Sequence, residues 1–142
     1  MILSKSDDCA RTSADILALI VEDDTFIRAM HVRVAKSLGI QQVLSAADAN
    51  EAVELSNTVG HVDLIISDLA MPEADGLDLI RIFPKDEKKT VVMFVTQLPT
   101  GILAAAETLA LDQGFLIAPS VQKPLKSDAV KEALDILIAR IH

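Results

Sequence analysis

The stretch Ile16-Leu17-Ala18-Leu19-Ile20-Val21-Glu22-Asp23-Asp24 sets six apolar residues without alternation against three consecutive carboxylates. A half-exposed strand alternates polar and apolar side chains, so this unbroken run predicts a strand covered on both faces, as in parallel sheets. Apolar runs recur at 40–44, where Gln41 and Gln42 interrupt, at 62–66, where Asp63 interrupts, and unbroken at 91–95, and a less regular one spans Phe115–Gln122. Helical spacing fills the intervals: Phe26, Ile27, Met30, Val34 and Leu38, then Ala49, Ala52, Val53 and Leu55, then Leu77, Leu79, Ile80 and Phe83. The punctuation agrees, because Gly39, Gly60 and Gly114 each follow a periodic segment, Asp48 with Glu51 fits a capping box, and Pro84 closes the third helix. The alternation predicts an α/β fold: a doubly wound five-stranded parallel sheet with five helices.

Composition bounds the function. The 142 residues are 51% hydrophobic, ample for one core and too few for two full domains. Residues 1–14 hold Lys5, Asp7, Asp8 and Arg11 among small polar side chains, so they are expected to form a flexible tail before a domain at 15–142. Thirteen basic against 21 acidic residues give a charge of -8, the wrong sign for gripping phosphate backbones. Trp and Tyr are absent, which removes the platforms on which bases stack, so direct nucleic-acid binding is not expected. Cys9 alone forms no internal disulfide, and His31, His61 and His142 lack ligand spacing, which reads them as surface or helix-face residues. The apolar runs are strand-sized, and the first residues lack the apolar centre of a secretion signal; a cytoplasmic protein without a membrane span is expected.

In doubly wound sheets the ligand site lies beyond the carboxyl ends of the strands, where their order reverses. Glu22, Asp23 and Asp24 follow the first strand, Asp68 the third, Thr96 the fourth, and Lys123-Pro124 the fifth. Each has an ordinary explanation. Asp and Thr25 suit a helix N-terminus, Asp68 a turn, and Lys123 a solvated edge. Together they place clustered carboxylates, a hydroxyl and an ammonium on one sheet edge. Carboxylates hold a hard cation such as Mg²⁺, a lysine neutralises phosphoryl charge, and one carboxylate can serve as nucleophile.

From about residue 16 to 141 the chain resembles the receiver domains of two-component response regulators, whose flavodoxin-like fold implies the strand order 2-1-3-4-5. The resemblance rests on Ile20-Val21-Glu22-Asp23-Asp24, Asp68-Leu69-Ala70-Met71-Pro72 with Asp75-Gly76, Thr96, and Lys123-Pro124. It implies that Asp68 accepts a phosphoryl group from a histidine kinase or phosphotransfer protein. It also implies that Asp23 and Asp68 ligate Mg²⁺ with the carbonyl of Ala70, while Glu22 assists through water. Lys123 and Thr96 would meet phosphoryl oxygens, and Asp24 would be an outer contributor. Such a domain phosphorylates itself and turns over no external substrate.

Three departures bear on regulation. Gln97 follows Thr96 where the family commonly has a small residue, and is expected to narrow the entrance. Ser120 stands where the family carries an aromatic residue that swings inward. The span from Thr96 to Lys123 is longer than usual. Gln97 and Ser120 keep open an alternative, a pseudo-receiver acting only by protein contact. A haloacid-dehalogenase phosphatase is the enzymatic rival, but it needs a DxD motif where this chain has Glu22-Asp23-Asp24-Thr25. The fourth helical segment is apolar around nearly its whole circumference (Ile102, Leu103, Leu109 and Leu111 with Ala104, Ala105, Ala106 and Ala110), and Ile136 and Ile138 flank the core stripe Val130, Leu134, Leu137 and Ile141 of the last. With the fifth strand these helices form the face expected to dock an effector or a second copy.

Overall fold

The computed structural model describes residues 16–69, 90–97 and 100–141. The predicted tail, the third helix with its closing Pro84, and the turn from Ala70 to Gly76 lie outside these residues. The described elements are β1 (Leu17–Val21), α1 (Thr25–Ser37), β2 (Gln42–Ala46), α2 (Ala49–Val59), β3 (Leu64–Ser67), β4 (Val91–Phe94), α3 (Thr100–Asp112), β5 (Leu116–Ile117) and α4 (Ser127–Ile141). The sheet is parallel throughout, in the order β2-β1-β3-β4-β5 that the resemblance implies.

The unbroken apolar runs are explained by two cores. Leu19, Val21, Ile65, Val92 and Phe94 face α2 and α3, whose Ala52, Ala106 and Ala110 are buried against them. Ala18, Ile20, Ile66, Met93 and Val95 face the opposite core, where Ala35 of α1 and Val130, Leu134 and Leu137 of α4 are buried. Every position of β3 and β4 is buried, so strand-length apolar runs are what the architecture demands.

Pairing moves several strand boundaries. β2 runs to Ala46 rather than ending at Leu44, because its register is set by β1, with Leu17 opposite Gln42 and Val21 opposite Ala46. β3 begins at Leu64 rather than Val62, since Asp63 uses its N–H and carbonyl on Leu17 and Val91 at the entry to the sheet.

The fifth strand departs furthest from its predicted span. Leu116 N–H bonds Thr90 carbonyl and Ala118 N–H bonds Val92 carbonyl, but the following rung joins Val121 to Phe94. Three residues on β5 therefore oppose two on β4. This one-residue bulge contains Pro119, which has no N–H to offer the ladder, and it sits on the edge strand where such insertions are tolerated. The bulge returns Val121 to pair with Val95.

The capping residues behave locally. Asp48 Oδ1 accepts from Glu51 N–H at 2.8 Å, and Glu51 reaches back to the Ala47 N–H at 2.6 Å, one residue earlier than an ideal box. Gly60 closes α2 at φ 90°, where a Cβ would be strained.

The predicted face of α1 is rotated. Phe26 is 73% exposed and Met30 is 39% exposed, while His31 and Ala35 are buried. The core stripe runs through His31, Ala35 and Leu38, so His31, expected as a surface or helix-face residue, lies on the inner face.

Candidate functional site

Glu22, Asp23 and Asp68 converge beyond β1 and β3 because these strands are hydrogen-bonded neighbours, with Val21 beside Ser67. Asp68 N–H donates to Val21 carbonyl at 3.1 Å, which ties the two acidic turns together. One carboxylate oxygen from each acid lies within 4.8 Å of the others. Glu22 and Asp68 are buried, whereas Asp23 is exposed at the rim.

The acid triplet is divided by what α1 needs. Asp24 Oδ1 accepts from Ile27 N–H at 2.9 Å as the N-cap, so this carboxylate serves the helix. Arg28, one turn further, donates from Nη1 to the Glu22 carbonyl at 2.8 Å and braces the turn.

Lys123 completes the cluster. Its Nζ lies 2.9 Å from Glu22 Oε1 and 2.9 Å from Asp68 Oδ2. Burial pushes the Glu22 carboxyl up, against the pull of Lys123 and of the Asp24 N–H. Burial also works to lower the Lys123 ammonium, but the adjacent Glu22 and Asp68 carboxylates outweigh it and raise it.

Thr96 is buried on the same edge, one residue past the bridge residue Val95, whose N–H donates to Ser67 carbonyl at 2.9 Å. Its own N–H donates to Val121 carbonyl at 3.0 Å. Gln97 is exposed, and its Nε2 donates to the Lys123 carbonyl at 3.3 Å. The peptide bond from Lys123 to Pro124 is cis, as the resemblance implies. Ala70, expected to offer its carbonyl, lies outside the described residues.

The cluster fits a hard divalent cation. Its donors are all carboxylate oxygens, and Glu22 Oε1 is buried without a properly directed hydrogen bond despite the nearby ammonium.

Two residues carry more than the sequence reading gave them. His31 is buried behind the site, where desolvation and then the Lys123 charge lower it to about 4. The signal was present, since Ile27, His31, Ala35 and Leu38 also have helical spacing; the histidine made that stripe look less apolar. Ser120 Oγ donates to Glu107 Oε2 at 2.8 Å and links α3 to the bulge of β5.

The fold and the acid-and-lysine cluster at the switch point define the class of phosphoacceptor signalling domains. The sequence matches the response regulator receiver domain over residues 18–135, and the chain belongs to that family. It is 33% identical over 92% of its length to the sensor kinase CckA of Brucella abortus, of which it spans 14%. It is 32% identical over 82% of its length to the chemotaxis protein CheY of Listeria monocytogenes, covering 93% of that protein. Among solved structures, a chain of the CheX-CheY-BeF3-Mg complex from Borrelia burgdorferi superposes with a TM-score of 0.69 at 24% identity, covering 86% of this chain and 88% of that one. No helix among the described residues is long and apolar enough to cross a membrane.

Proposed function

We propose that this chain is the phosphoacceptor receiver of a two-component phosphorelay, with Asp68 as the acceptor. The carrying observation is one ammonium, Lys123, 2.9 Å from both Asp68 and the buried Glu22 at the sheet's carboxyl edge. An Asp68 carboxylate oxygen attacks phosphorus, the bond from phosphorus to the donor's imidazole nitrogen breaks, and that nitrogen leaves with its electron pair. Lys123 turns from the carboxylate to a phosphoryl oxygen, and Thr96 offers its hydroxyl to another. Glu22, Asp23 and Asp68 would hold Mg²⁺, with the Ala70 carbonyl. When bound, the ion offsets charge accumulating on the phosphoryl oxygens. The complex of CheX and CheY with BeF3 and Mg, which shares this fold, supports the choice of ion.

The phosphoryl donor is a histidine kinase or a phosphotransfer protein, supported by the similarity to a sensor kinase. The working unit is residues 15–142, acting in the cytoplasm and turning over no external substrate. The pseudo-receiver alternative is disfavoured by the convergence of Glu22, Asp23, Asp68 and Lys123. Incubation with acetyl phosphate should add one phosphoryl group only when Mg²⁺ is present, located on Asp68 by mass spectrometry and absent in Asp68→Asn. Label elsewhere, or undiminished label in Asp68→Asn, overturns the assignment.

A further inference from the structure

The backbone ladder between β4 and β5 ends with the Thr96 N–H on the Val121 carbonyl. Lys123, two residues further, carries the ammonium that must meet both carboxylates. Its carbonyl accepts from Gln97 Nε2 at 3.3 Å, a contact between residues 26 apart in sequence. Gln97 itself follows Thr96 directly. We propose that Gln97 is a positioning residue for phosphoryl chemistry at Asp68: its amide supplies a side-chain rung beyond the last backbone bridge and holds the Lys123 backbone over the carboxylates. This rests on the receiver reading given above.

The physical argument is one of tethering. The β5 edge is interrupted by the Pro119 bulge and carries only two regular strand residues, so β4 holds Lys123 through few rungs. A flexible lysine stem spans a range of positions, and fixing its backbone narrows that range. Gln97 has the reach and the donor; alanine, leucine and glutamate at this position lack that donor. A gate acting by bulk alone predicts something different, because leucine preserves the bulk and loses the bond.

The test uses the full chain with Gln97→Leu, Lys123→Ala and the double variant. Two readouts are taken: the backbone order parameter of the Lys123 N–H by NMR relaxation in metal-free protein, and the rate of Asp68 labelling by acetyl phosphate at saturating Mg²⁺. Gln97→Leu should lower the order parameter at Lys123, because the side-chain rung that holds its carbonyl is lost. It should slow labelling by about two- to tenfold, the span that one net hydrogen bond commands. In the Lys123→Ala background the same change should have no further effect. An unaltered order parameter at Lys123, faster labelling in Gln97→Leu, or equal slowing with and without Lys123 overturns the tether. If the wild type takes no label, the receiver reading fails and the Lys123 backbone order parameter alone decides the tether.

Discussion

Lys123 Nζ stands 2.9 Å from Asp68 Oδ2 and also 2.9 Å from Glu22 Oε1, so one ammonium spans the phosphoacceptor candidate and the most deeply buried acid of the site. Glu22 is 1% exposed, which makes that ammonium its main compensation. Lys123→Ala should lower the stability of the metal-free protein by about 3 kcal/mol, the scale of breaking a buried pair. It should slow Asp68 labelling without weakening Mg²⁺, because the lysine competes with a cation for the same oxygens. Chemical denaturation and Mg²⁺ titration by calorimetry check both; a parallel loss of Mg²⁺ affinity contradicts the role.

Glu22→Gln should separate stability from metal binding. Burial raises the Glu22 carboxyl in the folded state, so its ionised form costs stability as pH rises above the ordinary value of 4.5. The substitution removes that cost and leaves Lys123 paired with Asp68. Metal-free protein should therefore be more stable than wild type at neutral pH, and the difference should shrink as pH falls toward 4.5. Mg²⁺ at a hundred times its dissociation constant stabilises wild type by about 2.7 kcal/mol, and the variant should show much less at the same concentration. Melting curves with and without Mg²⁺ decide it; an undiminished Mg²⁺ response removes Glu22 from the site.

His31 makes the fold acid-sensitive. Burial, with the Lys123 charge second, lowers it to about 4, so the unfolded chain binds its proton near 6.5 while the folded chain does not. Stability is therefore lost as pH falls from about 6.5 to about 4, by about 3 kcal/mol in all. His31→Val should flatten this part of the stability profile, measured by urea unfolding at intervals across the window. A profile as steep as wild type shows that other groups cause it.

The β5 edge should carry the output. Leu111 of α3 is 57% exposed, and Ile136 and Ile138 of α4 are half-buried, so apolar surface flanks this edge on both sides. Concentration-dependent self-association, or docking of an effector, is expected across it. Sedimentation of wild type and of Ile136→Glu with Ile138→Glu, each with and without beryllofluoride, is the check. A wild type that stays monomeric, with effector binding unchanged in the variant, rejects the surface.

The two-faced burial of the central strands and the placing of Glu22, Asp23, Asp68, Thr96 and Lys123 at strand ends were legible in the sequence. These follow from short-range regularities: apolar runs mean double coverage, and residues just past such runs must sit at strand ends. Caps such as Asp48 and Gly60 were legible for the same local reason. The strand order that brings those ends together came from the resemblance to receiver domains, because neighbouring strands pair across long stretches of chain.

What the tertiary structure alone decided depends on partners distant in the chain. Asp24 serves its helix while Glu22 and Asp23 serve the site, because the β1–β3 pairing aims the turn. The α1 stripe turns on His31 rather than Met30, since both choices have helical spacing and only packing against the sheet selects one. The Pro119 bulge appears only when β5 is set against β4, because one extra residue in an edge strand leaves the apolar pattern intact and shifts only the pairing. The Gln97 bond to the Lys123 carbonyl joins residues 26 apart, a distance no periodicity reports, and it exists because the ends of β4 and β5 emerge side by side.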